Sequence, residues 1–226
     1  MKNRIIPHEE IPKNIDSQVA AVSDEFRRGL EFVQKYPHRI TFFGSAQTIQ
    51  ESMHYQIAEG MAYRVVKELD YVVVTGGGPG IMRAANKGAR EAGGRTIGLG
   101  ITLPKEQQTN EFVTDVMIFQ HFFIRKAMLA FATKAYVFFP GGFGTFDELF
   151  GVLTLIQTNK IPRVPVILMG KDFWGPLQSF IHTNMYEDHA TIGKGDMRMY
   201  TITDSTDEAF QIIKDAPAPT WWKDAD

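Results

Sequence analysis

Pro140-Gly141-Gly142-Phe143-Gly144-Thr145-Phe146-Asp147-Glu148-Leu149-Phe150 is the segment from which the rest of this chain can be read. Ahead of it runs Ala135-Tyr136-Val137-Phe138-Phe139, apolar and rich in β-formers, which reads as a fully buried strand. Behind it Leu149, Val152, Leu153 and Ile156 recur at helical spacing. The segment is therefore a strand, a glycine turn and a helix start. Gly141, Gly142 and Gly144 let the backbone come close to a ligand, and a helix start offers unpaired N–H groups at a positive dipole end. That combination suits a phosphate. Thr145 could add a hydroxyl, and Glu148 is expected in the first helical turn, beside whatever is bound. A second reading stays open: Thr145-x-x-Glu148 also has the form of a capping box with no further role.

Working outward, the same strand–glycine–helix pattern recurs. Asp16 or Ser17 can cap a first helix whose apolar stripe is Val19, Val22, Phe26, Leu30 and Val33, and Pro37 ends it. Residues 1–15 before it are polar and proline-punctuated, an irregular arm. Arg39-Ile40-Thr41-Phe42-Phe43 reads as a strand and Gly44-Ser45-Ala46 as a tight turn. A helix is expected over 51–69 and a second buried strand over Tyr71–Thr75. Gly76-Gly77-Gly78-Pro79-Gly80-Ile81-Met82 then opens an alanine-rich helix, with Pro79 suited to an early helical position. Further strands are expected at Arg95–Leu99, Val116–Phe119, Val164–Met169 and Met199–Ile202, and helices near 174–184 and Asp207–Ile213. Residues 100–114 read as a polar loop long enough to be functional, here as a flap over a ligand's base. Residues 215–226, with Trp221 and Trp222, read as a tail. Strands alternating with helices throughout, with no repeat and no linker, argue for one α/β domain: a doubly wound, Rossmann-like parallel sheet with helices on both faces.

The helix expected over 120–133 is apolar nearly all round, so burial on most faces is expected. Its full charges are Arg125 and Lys126, and Arg125 shares a face with Met128, Leu129 and Ala132. A largely buried guanidinium is costly without an anionic partner, so an acidic side chain or a bound anion should meet it; snorkelling of both cations to a helix edge is the alternative.

Composition narrows the function classes. The 226 residues carry a formal net charge of −2, which offers no bulk attraction to nucleic acid or anionic lipid. Without cysteine there are no disulfides, no thiolate metal site and no thiol nucleophile. No apolar run reaches the roughly 18 residues of a membrane span, and the N-terminus lacks a signal-peptide core, so a cytoplasmic protein is expected. The histidines are scattered without ligand spacing, which argues against a metal site; only His121 stands close to Arg125.

The two glycine turns match neither common nucleotide fingerprint. From Gly76 and Gly78 the third glycine of G-x-G-x-x-G would fall on Ile81, from Gly142 and Gly144 on Asp147, and no G-x-x-x-x-G-K-[ST] occurs. Two such turns beyond the carboxyl ends of parallel strands, with an arginine and a glutamate, suggest a smaller phosphate-bearing ligand such as a mononucleotide. Gly76-Gly77-Gly78-Pro79-Gly80-Ile81-Met82, Arg125-Lys126 and Pro140-Gly141-Gly142-x-Gly144-Thr145-x-x-Glu148 resemble the LOG (Lonely Guy) family of nucleotide phosphoribohydrolases, over about Arg39 to Ile213.

The resemblance implies hydrolysis of the N-glycosidic bond of a nucleoside 5′-monophosphate, giving free base and ribose 5-phosphate, with no metal or redox cofactor. It implies Arg125 and Glu148 as the catalytic pair. It further implies that Gly44, Ser45, Gly77, Gly78, Gly80, Met82, Lys126, Gly141, Gly142, Gly144 and Thr145 hold the substrate and its phosphate. It also implies a homodimer with its site near the interface. The family's older label, lysine decarboxylase, finds no lysine here in an evident pyridoxal-phosphate setting. Where cytokinin-activating members have Met-His-x before the Arg-Lys pair, this chain has Phe122-Phe123-Ile124, which turns the expectation from cytokinin nucleotides to AMP or another purine monophosphate. Whether Arg125 keeps Glu148 ionised or contacts substrate stays open. The alternative function is a nucleotide sensor or carrier that binds without turnover.

Overall fold

The computed structural model describes residues 14–103, 108–131 and 133–217. Seven strands form one sheet: β1 (Arg39–Phe43), β2 (Val72–Thr75), β3 (Thr96–Ile101), β4 (Asp115–Phe119), β5 (Tyr136–Phe138), β6 (Val166–Met169) and β7 (Thr201–Thr203). Their order is β4-β3-β2-β1-β5-β6-β7, and every neighbouring pair is parallel. The helices are α1 (Ile15–Gln34), α2 (Met53–Leu69), α3 (Ile81–Glu91), α4 (Phe122–Ala130), α5 (Phe143–Gln157), α6 (Lys171–Phe180) and α7 (Thr206–Asp215).

Alternate strand residues feed two cores, as parallel strands covered on both faces require. Ile40, Phe42, Val73, Val137 and Ile167 pack under α2, α3 and α7. Phe43, Val74, Tyr136, Phe138 and Leu168 pack under α1, α4, α5 and α6. The expected doubly wound sheet with helices on both faces is what the chain forms. The order of winding reverses between β1 and β5, so their carboxyl ends part and leave a crevice.

Several local expectations are corrected. Asn14, not Asp16 or Ser17, caps α1: its side chain accepts the Ser17 N–H at 3.2 Å, and the Ser17 hydroxyl returns to the Asn14 carbonyl. The helix therefore begins inside what reads in sequence as an arm; residues 1–13 lie outside the described range. Of the α1 stripe Val33 is buried, while Val19 and Leu30 are exposed. Pro79 stands ahead of α3, because Gly80 is the N-cap. α4 is shorter than its apolar run, and Phe122 and Phe123 at its start are exposed rather than buried. The helix after β6 begins at Lys171, earlier than periodicity suggests, and widens into a π-helical segment over Ile181–Asp188. Asp215 closes α7 rather than opening a tail, and the tryptophan pair falls beyond the described residues.

Candidate active site

The crevice at the β1/β5 divergence has a volume of about 460 Å³, within the range of small-molecule sites. β1 supplies its floor through Phe42, Phe43 and the turn Gly44-Ser45-Ala46-Gln47. Gly76 and Met82 come from the β2–α3 junction, Phe122 and Arg125 from α4, and Gly142, Gly144, Thr145, Asp147 and Glu148 from the start of α5. A smaller recess adjoins it, sharing Gly76, Met82 and Arg125 and adding Gly77, Gly78, Gln108 and Thr109.

The start of α5 differs from expectation in a way that matters chemically. Its N-cap is Gly142, which has no side chain to cap with. Thr145 is thus already inside the first turn, and Glu148 falls in the second. The Thr145/Glu148 capping box does not form. The amides of Phe143, Gly144 and Thr145 find no acceptor among the described residues, the first hydrogen bond of the helix being Phe146 N–H to the Gly142 carbonyl at 3.1 Å. Three unpaired N–H groups and the positive end of a fifteen-residue helix stand at the edge of the crevice, which Gly142, Gly144 and Thr145 line.

Arg125 and Glu148 approach the crevice from opposite walls. Arg125 donates Nε–H to the Leu99 carbonyl at 2.7 Å, which aims the rest of the guanidinium over Gly76. A Cβ on Gly76 would lie 2.5 Å from Arg125 Nη2, so the missing side chain is what makes room. No nitrogen of Arg125 comes within ion-pair distance of Glu148, yet the two charges act on each other. Burial lowers the Arg125 pKa and Glu148 partly restores it. Burial drives Glu148 up from 4.5 to about 7, against the pull of Arg125 and Lys126. A carboxyl group poised near neutrality in a cleft is suited to proton transfer.

The other sequence-predicted residues divide. Gly44, Ser45, Met82, Gly142, Gly144 and Thr145 line the crevice, and Gly77 and Gly78 line the adjoining recess. Gly80, Gly141 and Lys126 line neither. Gly80, at φ 65°, presses against the turn after β1, where a Cβ would sit 2.2 Å from the Ser45 carbonyl oxygen. Gly141 backs onto the Thr145 hydroxyl. Lys126 pairs with Asp147 at 2.7 Å on the surface.

Sequence reasoning missed the group that shapes the first glycine turn. Asn110 donates Nδ2–H to the carbonyls of Gly77 and Gly78, at 3.0 and 2.9 Å, and to the Asn86 side chain. Asn86 in turn joins Thr75 and Thr96 in a fully buried polar chain, so it serves the fold rather than a ligand. An asparagine inside a polar stretch gives no periodic signal that it will be buried. Gln47 and Phe122 were likewise unremarked as lining residues. His121 lies outside the lining and engages Glu25 of α1. Gln157 ties the far end of α5 to Asp196, and the Thr158 hydroxyl caps that end by bonding back to the Thr154 carbonyl of the same helix.

Residues 82–213 match the family model described as "Possible lysine decarboxylase", which is the LOG family, and this match takes in more than half of the chain. The chain belongs to the LOG family. A cytokinin riboside 5′-monophosphate phosphoribohydrolase of Rhodococcoides fascians is 26% identical over 160 residues, covering 69% of this chain and 79% of the relative. An Arabidopsis thaliana protein of the same name is 31% identical over 149 residues, covering 65% and 68%. Among solved structures, the molybdenum cofactor carrier protein of Chlamydomonas reinhardtii superposes with a TM-score of 0.59 at 22% identity, covering 78% of this chain and 96% of that one. The molybdenum cofactor binding protein of Rippkaea orientalis gives 0.58 at 20%, covering 79% and 96%. At such identities the likeness to these structures is one of fold.

Proposed function

We propose that this LOG-family chain hydrolyses the N-glycosidic bond of a nucleoside 5′-monophosphate, releasing free base and ribose 5-phosphate. The observation that carries the reading is Glu148, a carboxyl held near pKa 7 across a crevice from Arg125 and one turn from unpaired helix amides. The 5′-phosphate sits on the amides of Phe143, Gly144 and Thr145, with the Thr145 hydroxyl beside it. That binding places the ribose C1′ near Glu148. Cleavage of the C1′–N bond leaves oxocarbenium character on the ribose, which the Glu148 carboxylate stabilises while it takes a proton from the attacking water. The water oxygen becomes the C1′ hydroxyl of ribose 5-phosphate, and the departing base nitrogen gains a proton. Arg125 pulls Glu148 toward its ionised form, against burial, and has its outer guanidinium nitrogens turned to the crevice for the substrate.

A purine monophosphate such as AMP is the proposed substrate; the relatives are named for cytokinin riboside 5′-monophosphates. A pyridoxal-dependent decarboxylation finds no support in the crevice, where no lysine is in the lining among the described residues. Incubation with AMP should release adenine, and Glu148→Gln should abolish most of the release. Tight AMP binding with no free base from any monophosphate would replace this reading with a sensor or carrier.

We also propose a homodimer in the cytoplasm. Ile15, Val19, Phe122 and Phe123 expose apolar surface of the kind a second copy covers, and no helix among the described residues is long and apolar enough to cross a membrane. Light scattering should give twice the chain mass; a monomer at micromolar concentration would overturn the dimer.

A further inference from the structure

α4 carries Arg125, and its Ile124, Met128 and Leu129 pack in the core, but apolar packing is non-directional and does not by itself fix where the helix stands along its axis. It is nine residues long, and helices so short are not self-supporting. Its N-cap, His121, makes no capping hydrogen bond with its side chain. Both of its ends are nevertheless fixed by groups that the proposed chemistry does not use.

At the N-terminal end stands Glu25 of α1. Its neighbours Asp24, Arg27 and Arg28 form exposed ion pairs, yet Glu25 itself is 4% exposed. Its carboxylate accepts the Gln120 backbone N–H and engages Nδ1 of His121. Burial pushes its pKa up, but these hydrogen bonds outweigh burial and hold it below the ordinary carboxylate range. A negative group at a helix N-terminus also complements the dipole. The next link is direct, because the Arg125 N–H bonds the His121 carbonyl at 3.1 Å.

At the C-terminal end stands Arg39, 2% exposed. Its guanidinium donates to the carbonyls of Val33 and Tyr36 at the end of α1, and to the carbonyl of Phe131 at 3.1 Å, the C-cap of α4. A cation is the favoured charge at both of these helix ends. Between the two anchors α1 runs close over α4, where a Cβ on Gly29 would lie 2.9 Å from Met128 Sδ. Burying two charged groups that do not pair with each other is costly, and hydrophobic residues could have joined the helices without that cost. The charges instead specify where α4 stands along α1.

We infer that Glu25 and Arg39 are positioning residues: they clamp α4 to α1 at its two ends and so set where Arg125 stands relative to Glu148. The inference rests on the hydrolase reading for its catalytic readout but on α4 alone for its physical one. Glu25 and Arg39 lie outside the family match at 82–213, although the groups of α4 that they hold lie within it.

The test compares Glu25→Ala and Glu25→Gln with Asp24→Asn, a change at an exposed site on the same helix. Two quantities are read: the pH dependence of kcat with AMP, and amide hydrogen exchange over residues 122–130. The titratable and charged groups acting on Glu148 are Arg125 and Lys126 of α4 and Asp147 of α5, with Tyr136 beneath. If α4 drifts, the cations retreat and the acid limb of the profile moves to higher pH. Glu25→Ala should lower kcat by about tenfold to a hundredfold, move that limb upward and speed exchange in α4. Glu25→Gln, which still accepts the Gln120 N–H but loses its charge toward His121, should do the same to a smaller extent. Asp24→Asn should do neither. A lower melting temperature with an unmoved acid limb and unchanged α4 exchange would overturn the clamp. Should Glu25→Ala fail to fold, the same two readouts on Glu25→Gln decide. If the wild type releases no base from any monophosphate, the hydrolase reading fails by itself, and α4 exchange still upholds or sinks the clamp.

Discussion

The two glycine turns of this protein are near twins in sequence and opposites in structure. The β2–α3 turn is closed. Asn110 holds its Gly77 and Gly78 carbonyls, the Thr75 hydroxyl takes the Gly77 N–H, and the first amide of α3, on Ile81, is already bonded to the Ser45 carbonyl at 3.0 Å. The β5–α5 turn is open. Gly142 and Gly144 are exposed, a Cβ on either would meet nothing within 4 Å, and three amides behind them are unpaired. Glycine is needed in the first turn because the backbone is crowded. In the second, only Gly141 is crowded, by Thr145; around Gly142 and Gly144 the protein crowds nothing, so the absence of side chains leaves space for something else. The same residue type thus marks packing at one junction and access at the other.

Three substitutions would break or sharpen that contrast. The largest effect belongs to the open turn. Glu148→Gln should cost a hundredfold or more in kcat with AMP, the usual worth of a positioned general base. The wild-type rate should rise with pH through about 7, since the proposed mechanism makes the ionised carboxylate the active form. Stability should move the other way. The Glu148 pKa is raised from 4.5 to about 7 on folding, so its contribution is fully present below about 4.5 and is lost as pH rises toward 7. Glu148→Gln should therefore be more stable than wild type at pH 8, by about 1–3 kcal/mol, and no different at pH 4, as denaturant titration at the two pH values would show. Equal stability at both would mean that the carboxyl is not desolvated.

Next comes the closed turn. Gly80→Ala forces a side chain onto a backbone at φ 65° and into the Ser45 carbonyl. The loss should be about 3 kcal/mol or more, seen as a lowered melting temperature with or without ligand. A folded, wild-type-stable Gly80→Ala would remove the distinction between the turns. The smallest effect on the fold belongs to Gly144→Ala. With open space around it and a helical position, it should change stability by less than about 1 kcal/mol, in the favourable direction. Its cost should appear instead as a raised KM for AMP, because the new methyl stands where a phosphate approaches the amides. A KM unchanged by this variant would move the phosphate elsewhere.

The remaining contrast is between the two walls of the crevice. Glu148 is carried by a fifteen-residue helix whose far end is tied to Asp196 through Gln157, whereas Arg125 rides on a nine-residue helix with no side-chain N-cap of its own. The α1 clamp supplies what α4 lacks. It also gives a reason for a buried glutamate among the apolar residues on the packed side of α1, a residue that the apolar stripe of the sequence does not mark.

The sequence by itself determined the strand–turn–helix rhythm, and with it a parallel sheet wound in both directions. Runs such as Tyr71–Thr75 and Ala135–Phe139 are apolar on both faces, and only a sheet covered on both sides accommodates that. It also singled out Arg125 and Glu148, because a guanidinium in an apolar helix and a carboxylate behind three glycines are each locally anomalous. Only the tertiary structure decided the rest. The helix start moved from Thr145 to Gly142, because capping depends on backbone hydrogen bonds that residue types do not fix. Gly80 and Gly141 proved to be packed against neighbours distant or adjacent in the chain, and Asn110 was drawn inside by carbonyls 32 and 33 residues away. The raised pKa of Glu148 and the clamp between Glu25, Arg39 and α4 come from burial and from contacts up to 96 residues apart in the chain. Such contacts depend on which surfaces meet after folding, and local pattern carries no record of that.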